Sequence, residues 1–306
     1  MAGFIKKLCD NPIFIKDLQV KKRLDSKKKF NISPVIGYLV ILLLPLVVYA
    51  VSYQTVYYLH IATMQWLFVT TCFLQVLFFC YNSIFSSYNL ISREKEMRTY
   101  GNLISTKVPP EGVVLGKLCF AAFPLIRDLT ILSPVYFFTG YKCGLPAYSL
   151  IMLYIFTVAH ILFFCMLGLY FSARAKNSRT SHSMAIVFTA ILIVSTLLIG
   201  WMLFNPPVKL PPNKYRCSFE DLYHPCNTKV MIAAAANLLN PLVNVISLFL
   251  LNSNRQLSLR IKIVSPTSIS LCWNVMYPFL SLLSYLIGGW FLFRKTAIRI
   301  YEVPGE

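Results

Sequence analysis

Long apolar runs alternate with short polar connections along most of the chain. About 20 mostly apolar residues are enough for a helix to cross a bilayer. Six runs meet that length: 34–53, 61–83, 114–139, 145–172, 184–204 and 271–293. Pro45, Pro124, Pro134 and Pro278 fall inside them, and neighbouring helices can satisfy the backbone groups these prolines free. The pattern predicts an all-α polytopic membrane protein with six transmembrane helices. Composition agrees, with 57% hydrophobic and only 13% charged residues among 306, against about one-quarter charged in a soluble domain.

Charge sets the orientation. The formal net charge is +18. Such a balance can mean nucleic-acid binding, but here the basic residues flank apolar runs, as the positive-inside rule requires. The first connection, "QTVYYLH", has no Lys or Arg, and the second holds Arg93, Lys95, Arg98 and Lys107. The third has Lys142 alone, whereas the fourth holds Arg174, Lys176 and Arg179. Arg294, Lys295 and Arg299 make the tail basic again. The alternation predicts a multi-pass protein of the cell (inner, cytoplasmic) membrane with both termini cytoplasmic. The basic first residues lack the apolar core of a cleavable signal peptide.

Two regions add detail. In 1–33, Asn11-Pro12 reads as a helix cap followed by proline at the first helical position. Ile13, Phe14, Leu18 and Leu24 make an apolar stripe opposite Lys16, Lys21, Lys22 and Arg23. An interfacial amphipathic elbow helix is expected there, preceding a single transmembrane domain over 34–306. The outer loop and hairpin are placed at 205–270. Within it, 229–252 is long enough to span, but a seventh crossing would put the basic tail outside. Asn237, Asn240 and Asn244 recur at helical spacing, and Asn240-Pro241 breaks the segment. A re-entrant hairpin before the last span fits better than a full crossing. Cys217 and Cys226 would lie outside, where they could close a disulfide loop if that compartment is oxidising.

Little points to chemistry. The four histidines, His60, His160, His182 and His224, pair with no nucleophile and show no metal-ligand spacing, so no metal site is expected. His160 falls inside an apolar run. Arg127 and Asp128 sit near the middle of another, where ionisable groups are costly and face a bundle interior or a wet cavity. Adjacent helical positions diverge by about 100°, so each is expected to find a partner elsewhere, with a subunit interface as one candidate place. They are candidates for a translocation path or an interhelical lock. "GVVLGKL", 112–118, imitates a phosphate loop but has three residues between its glycines and Leu118 after Lys117. A phosphate loop needs four, then Ser or Thr after the Lys. The chain is therefore not expected to be an enzyme and is expected to carry no cofactor of its own.

The charged run "REKEMRTYGNLISTKVPP" separates the second and third spans. It reads as one cytoplasmic amphipathic helix over 91–108, ended by Pro109-Pro110. By periodicity alone such a helix could rest on lipid headgroups. At these residues the chain resembles the permease subunits of ABC-2-type ABC transporters. The resemblance is carried by Glu94-Lys95-Glu96, Thr99, Leu103-Ile104-Ser105-Thr106 and Gly116-Lys117, by the start "NPIFIKDLQVKKR", by "LNPL" at 239–242 and by "FFTGYKCGLP". Arg98 stands where that family commonly has glycine, and Gly101-Asn102 replaces its usual pair. The resemblance implies a dimer, with a second permease subunit that is identical or paralogous, and a cytoplasmic ABC ATPase subunit that binds ATP and Mg. It makes 91–108 the coupling helix, with Glu94, Glu96, Arg98, Thr99, Tyr100, Leu103 and Ile104 as the ATPase contact. Two other readings remain: a non-transporting membrane anchor that recruits a cytoplasmic partner, and an ion-coupled carrier. The carrier would show inverted repeats, which the sequence does not display.

Overall fold

A computed structural model describes residues 11–25, 57–101, 105, 108–142, 147–204 and 268–301. These are helical and contain no strand. The elements are α1 (Pro12–Asp25), α2 (Tyr57–Ser87), α3 (Ser92–Glu96), α4 (Pro110–Lys142), α5 (Ala147–Arg174), α6 (Ser178–Phe204) and α7 (Ser268–Tyr301). The expected span 34–53, residues 205–267 of the expected loop and hairpin 205–270, with Asn237, Asn240, Pro241, Asn244, Cys217 and Cys226, and Leu103 and Ile104 lie outside the described residues, and 268–270 already belong to α7. Two helical stretches, Pro110–Tyr141 and Leu150–Arg174, are long and apolar enough to cross a membrane.

The chain divides into two compact units, Met1–Phe188 with Leu286–Glu306, and Thr189–Tyr285. In the first, α2, α4 and α5 pack on one another, α1 lies on α4, and α3 touches α5. One core joins Phe79 of α2 to Ala121, Ala122, Leu125 and Leu129 of α4 and Ile161 and Cys165 of α5. In the second, the described residues are the far end of α6 and the first half of α7, where Ser281 and Tyr285 are buried one turn apart.

Local chemistry explains the elements. Asn11 Oδ1 accepts the Ile13 N–H at 3.0 Å and Pro12 opens α1, as a cap-then-proline start predicts. Pro110 and Glu111 open α4, so the acid sits at the positive end of the helix dipole. Near its end α2 carries Asn82, Ser83 and Ser87, whose side chains donate to the carbonyls of Phe78, Phe79 and Ser83 at 2.6–2.8 Å. Bonding back to the preceding turn lets polar residues stay in an apolar helix. Each long helix extends past its apolar run. Hydropathy marks only the oily middle, while backbone bonding continues into the polar ends.

The charged run departs from expectation. It is not one helix over 91–108. Helix α3 stops after five residues. The Arg98 N–H donates to Lys95 O at 3.1 Å and the Thr99 N–H to Glu94 O at 2.9 Å. That pair of bonds is a Schellman stop, whose pivot residue adopts the left-handed conformation and is usually glycine. Here the pivot is Arg98, at φ 56°. Tyr100 and Gly101 are helical again, so the run bends where a uniform helical net assumed it straight.

Candidate functional site

The ends of α1, α2, α4 and α5 converge on α3. Lys117 lies at the centre. It is seven residues into α4, and its side chain is 1% exposed. Its Nζ donates to Leu90 O at 3.0 Å and to Glu94 Oε1 at 3.0 Å, and lies 3.6 Å from Asp17 Oδ2. One buried ammonium therefore ties α1, the start of α3 and α4. Two carboxylates face one cation, and among the described residues Asp17 Oδ2 and Glu94 Oε2 are buried without a hydrogen bond. Gly116 gives the close approach its room. A Cβ there would stand 3.0 Å from Asn11 Oδ1, and Asn11 Nδ2 in turn donates to Gly112 O at 2.8 Å.

The other faces of α3 are held as well. Ser172 Oγ of α5 accepts the N–H groups of Ile91 and Ser92, each at 2.9 Å. Ile91 has no side-chain acceptor of its own for a cap, so a hydroxyl from another helix caps α3. Lys95 Nζ donates to Ala173 O and reaches Ala175 O at 3.5 Å. A cation beside the final carbonyls of α5 suits the negative end of that helix. Burial lowers the Lys95 ammonium from its ordinary value, and the Arg299 charge lowers it further. Glu96 caps the next helix. Its Oε1 accepts the Ser178 N–H at 2.7 Å and its Oε2 the Ser178 hydroxyl at 2.6 Å. The hydroxyl, then the backbone N–H, hold its carboxyl below the usual carboxylate range. Tyr100 is 8% exposed and donates to Ile300 O at 2.6 Å. Beneath lies a core of Ile13, Ile91, Val113, Val114, Leu169 and Ile300.

The expected contact residues therefore divide. Glu94 and Tyr100 turn inward, Glu96 lies on the first turn of α6, and Arg98 and Thr99 are exposed. Sequence reasoning missed two residues. Lys117 enters the sequence reading only within a false phosphate loop and the Gly116-Lys117 pair, although a lone lysine inside an apolar run could have signalled a buried partner. Met97 is 61% exposed at the tip of the bend, with Arg93, Arg98, Arg174, Lys176 and Arg179 also exposed on this face of the connections. The outer surface is thus basic around one apolar tip.

Arg127 and Asp128, each expected to find a partner elsewhere, also meet each other. Arg127 Nε and Nη2 donate to Asp128 Oδ1 at 3.0 and 2.8 Å. The 100° divergence applies to Cα–Cβ directions, and the long guanidinium arm folds back across it. The Arg127 side chain is 63% exposed, whereas His160 is 1% exposed beside Phe156 in α5. The first lies on the outside of the bundle and the second within it. Among the described residues no three His, Cys, Asp or Glu side chains gather as a metal site.

Arg98 supports a direct prediction. A left-handed non-glycine residue costs about 1 kcal/mol or more. Arg98→Gly should raise the thermal unfolding midpoint, by about 1 kcal/mol of stability, and Arg98→Val should lower it. Equal midpoints for the two variants would remove the strain argument.

Comparison with models of known protein families gives no match. Comparison with curated proteins gives no match either.

Proposed function

We propose that the chain is the permease subunit of an ATP-driven exporter of the ABC-2 type. It works beside a second permease subunit and is driven by a separate cytoplasmic ATPase that binds ATP and Mg. The observation that carries this reading is the socketed α3. A short charged helix with an exposed apolar tip is fixed to the ends of two helices able to cross a membrane. Its attachments are a buried ion pair, a borrowed cap and a core contact. Such a joint turns a push on its outer face into movement of the helices behind it, shifting the balance between two packings. The resemblance in "EKE", the following Thr and "GK" supports the same reading. In it the partner meets Arg93, Met97, Arg98 and Thr99, while Glu94 and Tyr100 hold the lever in its socket.

The test is Met97→Asp with Arg98→Glu. Stimulation of the copurified ATPase should fall on the order of tenfold, a typical coupling free energy, with membrane insertion unchanged. Full stimulation with the complex intact would overturn the reading. The membrane-anchor alternative keeps one observation in its favour: the ion pair expected along a translocation path lies on the outside of the bundle. Copurification separates the two. A stoichiometric ATPase with nucleotide motifs supports the exporter, and a partner without them supports the anchor.

A further inference from the structure

Helix α4 is the less covered of the two helices able to cross a membrane. In its most apolar window 28% of residues are buried in the chain, against 67% in α5. Its open surface is ordered. Phe123 is 61% exposed, Ile131 67%, Phe138 58% and Tyr141 74%, and the Arg127 side chain 63%. At about 100° per residue these positions fall within a sector of about 80°. They form a continuous aromatic and aliphatic stripe with one guanidinium near its middle.

Lipid tails are a poor neighbour for that guanidinium. Arginine has five N–H donors, and the bonds to Asp128 engage Nε and Nη2. Three N–H donors remain on a side chain that is 63% exposed, and hydrocarbon would offer them no acceptor and makes an ionised group costly. The face therefore needs a protein that brings acceptors to mid-helix and apolar side chains to either end.

We infer that the α4 stripe is the surface on which two copies of this chain meet. Arg127 and Asp128 are neighbours, only about 1.5 Å apart along the axis. A two-fold axis along the membrane normal would set two α4 helices parallel and at one depth. Each Arg127 would then stand level with the Asp128 of the other copy. The pair is neutral and self-complementary, which is what an isologous contact requires. Thr130, whose Oγ1 lies 2.9 Å from the Tyr154 hydroxyl of α5, adds polar groups beside it. The inference rests on the reading of the chain as one of two permease subunits, and it names the surface between them.

The experiment is oxidative crosslinking of the full-length protein in membranes, read above the background of the native cysteines. Ile131→Cys should give a band at twice the chain mass. Ile287→Cys, 60% exposed on α7, should not. Adding Arg127→Glu should cut the Ile131 crosslink at least several-fold. The exchange Arg127→Asp with Asp128→Arg should restore it, because the swapped pair is still self-complementary, and that restoration separates lost contact from lost folding. A link within one chain, a link to another protein, no link, or a link at Ile287 instead of Ile131 would each overturn the inference. ATPase copurification from the same membranes is read separately. A complex with two permease copies and an ATPase but no Ile131 link refutes the stripe alone. An Ile131 link without any ATPase refutes the exporter reading alone.

Discussion

Replacing Lys117 with methionine should destabilise the protein by about 3–5 kcal/mol, the range found when one partner of a buried ion pair is removed. Methionine fills similar volume, so the loss is electrostatic and not a cavity. What remains is two carboxylates, Asp17 and Glu94, only 15% and 16% exposed, facing each other without their cation. Leu90 O, half-buried, also loses this donor, which adds a smaller cost. Location makes the effect large. An exposed surface pair contributes about 0–1 kcal/mol, while Lys117 has no water to turn to. The triple variant Lys117→Met, Glu94→Gln, Asp17→Asn should recover much of the loss, since neutral amides tolerate burial better than orphaned charges. Denaturant titration of the detergent-solubilised protein measures both. A single variant within about 1 kcal/mol of the parent would mean that the junction is wetter than its burial indicates.

Gly168→Ala should cost about 1–3 kcal/mol, although alanine is the better helix former by about 1 kcal/mol. Gly168 of α5 faces the end of α2. A Cβ there would overlap the Ser87 hydroxyl and stand 3.2 Å from Ser87 Cβ and 3.3 Å from the Ile84 carbonyl. The Ser87 hydroxyl could rotate, but it would give up its bond to Ser83 O at 2.7 Å. The carbonyl cannot move unless α2 moves, so overpacking outweighs propensity. Ser87→Gly should relieve the variant partly, because it removes two of the three close atoms. The folded fraction of single and double variants gives the coupling energy directly. A stabilising Gly168→Ala would show that the two helices part easily.

Much of the helical layout was legible because burial leaves a one-dimensional trace. Helices α2, α4, α6 and α7 cover the apolar runs that predicted them, α5 covers its run from Ala147 on, and Asn11-Pro12 marked the start of α1. The helix ends were less legible, since a hydropathy run stops where lysine and serine begin and helical bonding does not. The connection at 91–108 was misread for a definite reason. Positive φ at Arg98 comes from the bonds its neighbours make, and nothing in an arginine announces it. Lys117 was passed over because its meaning lies in Asp17 and Glu94, 100 and 23 positions earlier in the chain. Arg127 and Asp128 were seen as unusual, but their mutual contact depends on side-chain reach, which helical angles do not encode.

The bond from Tyr100 to the Ile300 carbonyl spans 200 positions. A ribosome that has delivered α1 to α5 has assembled the ion pair, the borrowed cap and most of the core beneath α3. It has not yet delivered Ala297 and Ile300, which complete that core. Until α7 arrives, the socket stands open on one side, with its apolar seat uncovered. Contacts of such long range form late, because the loop between them must close first. The joint is thus closed by α7: a chain lacking residues 297–300 would leave α3 without part of its core and without the Tyr100 bond.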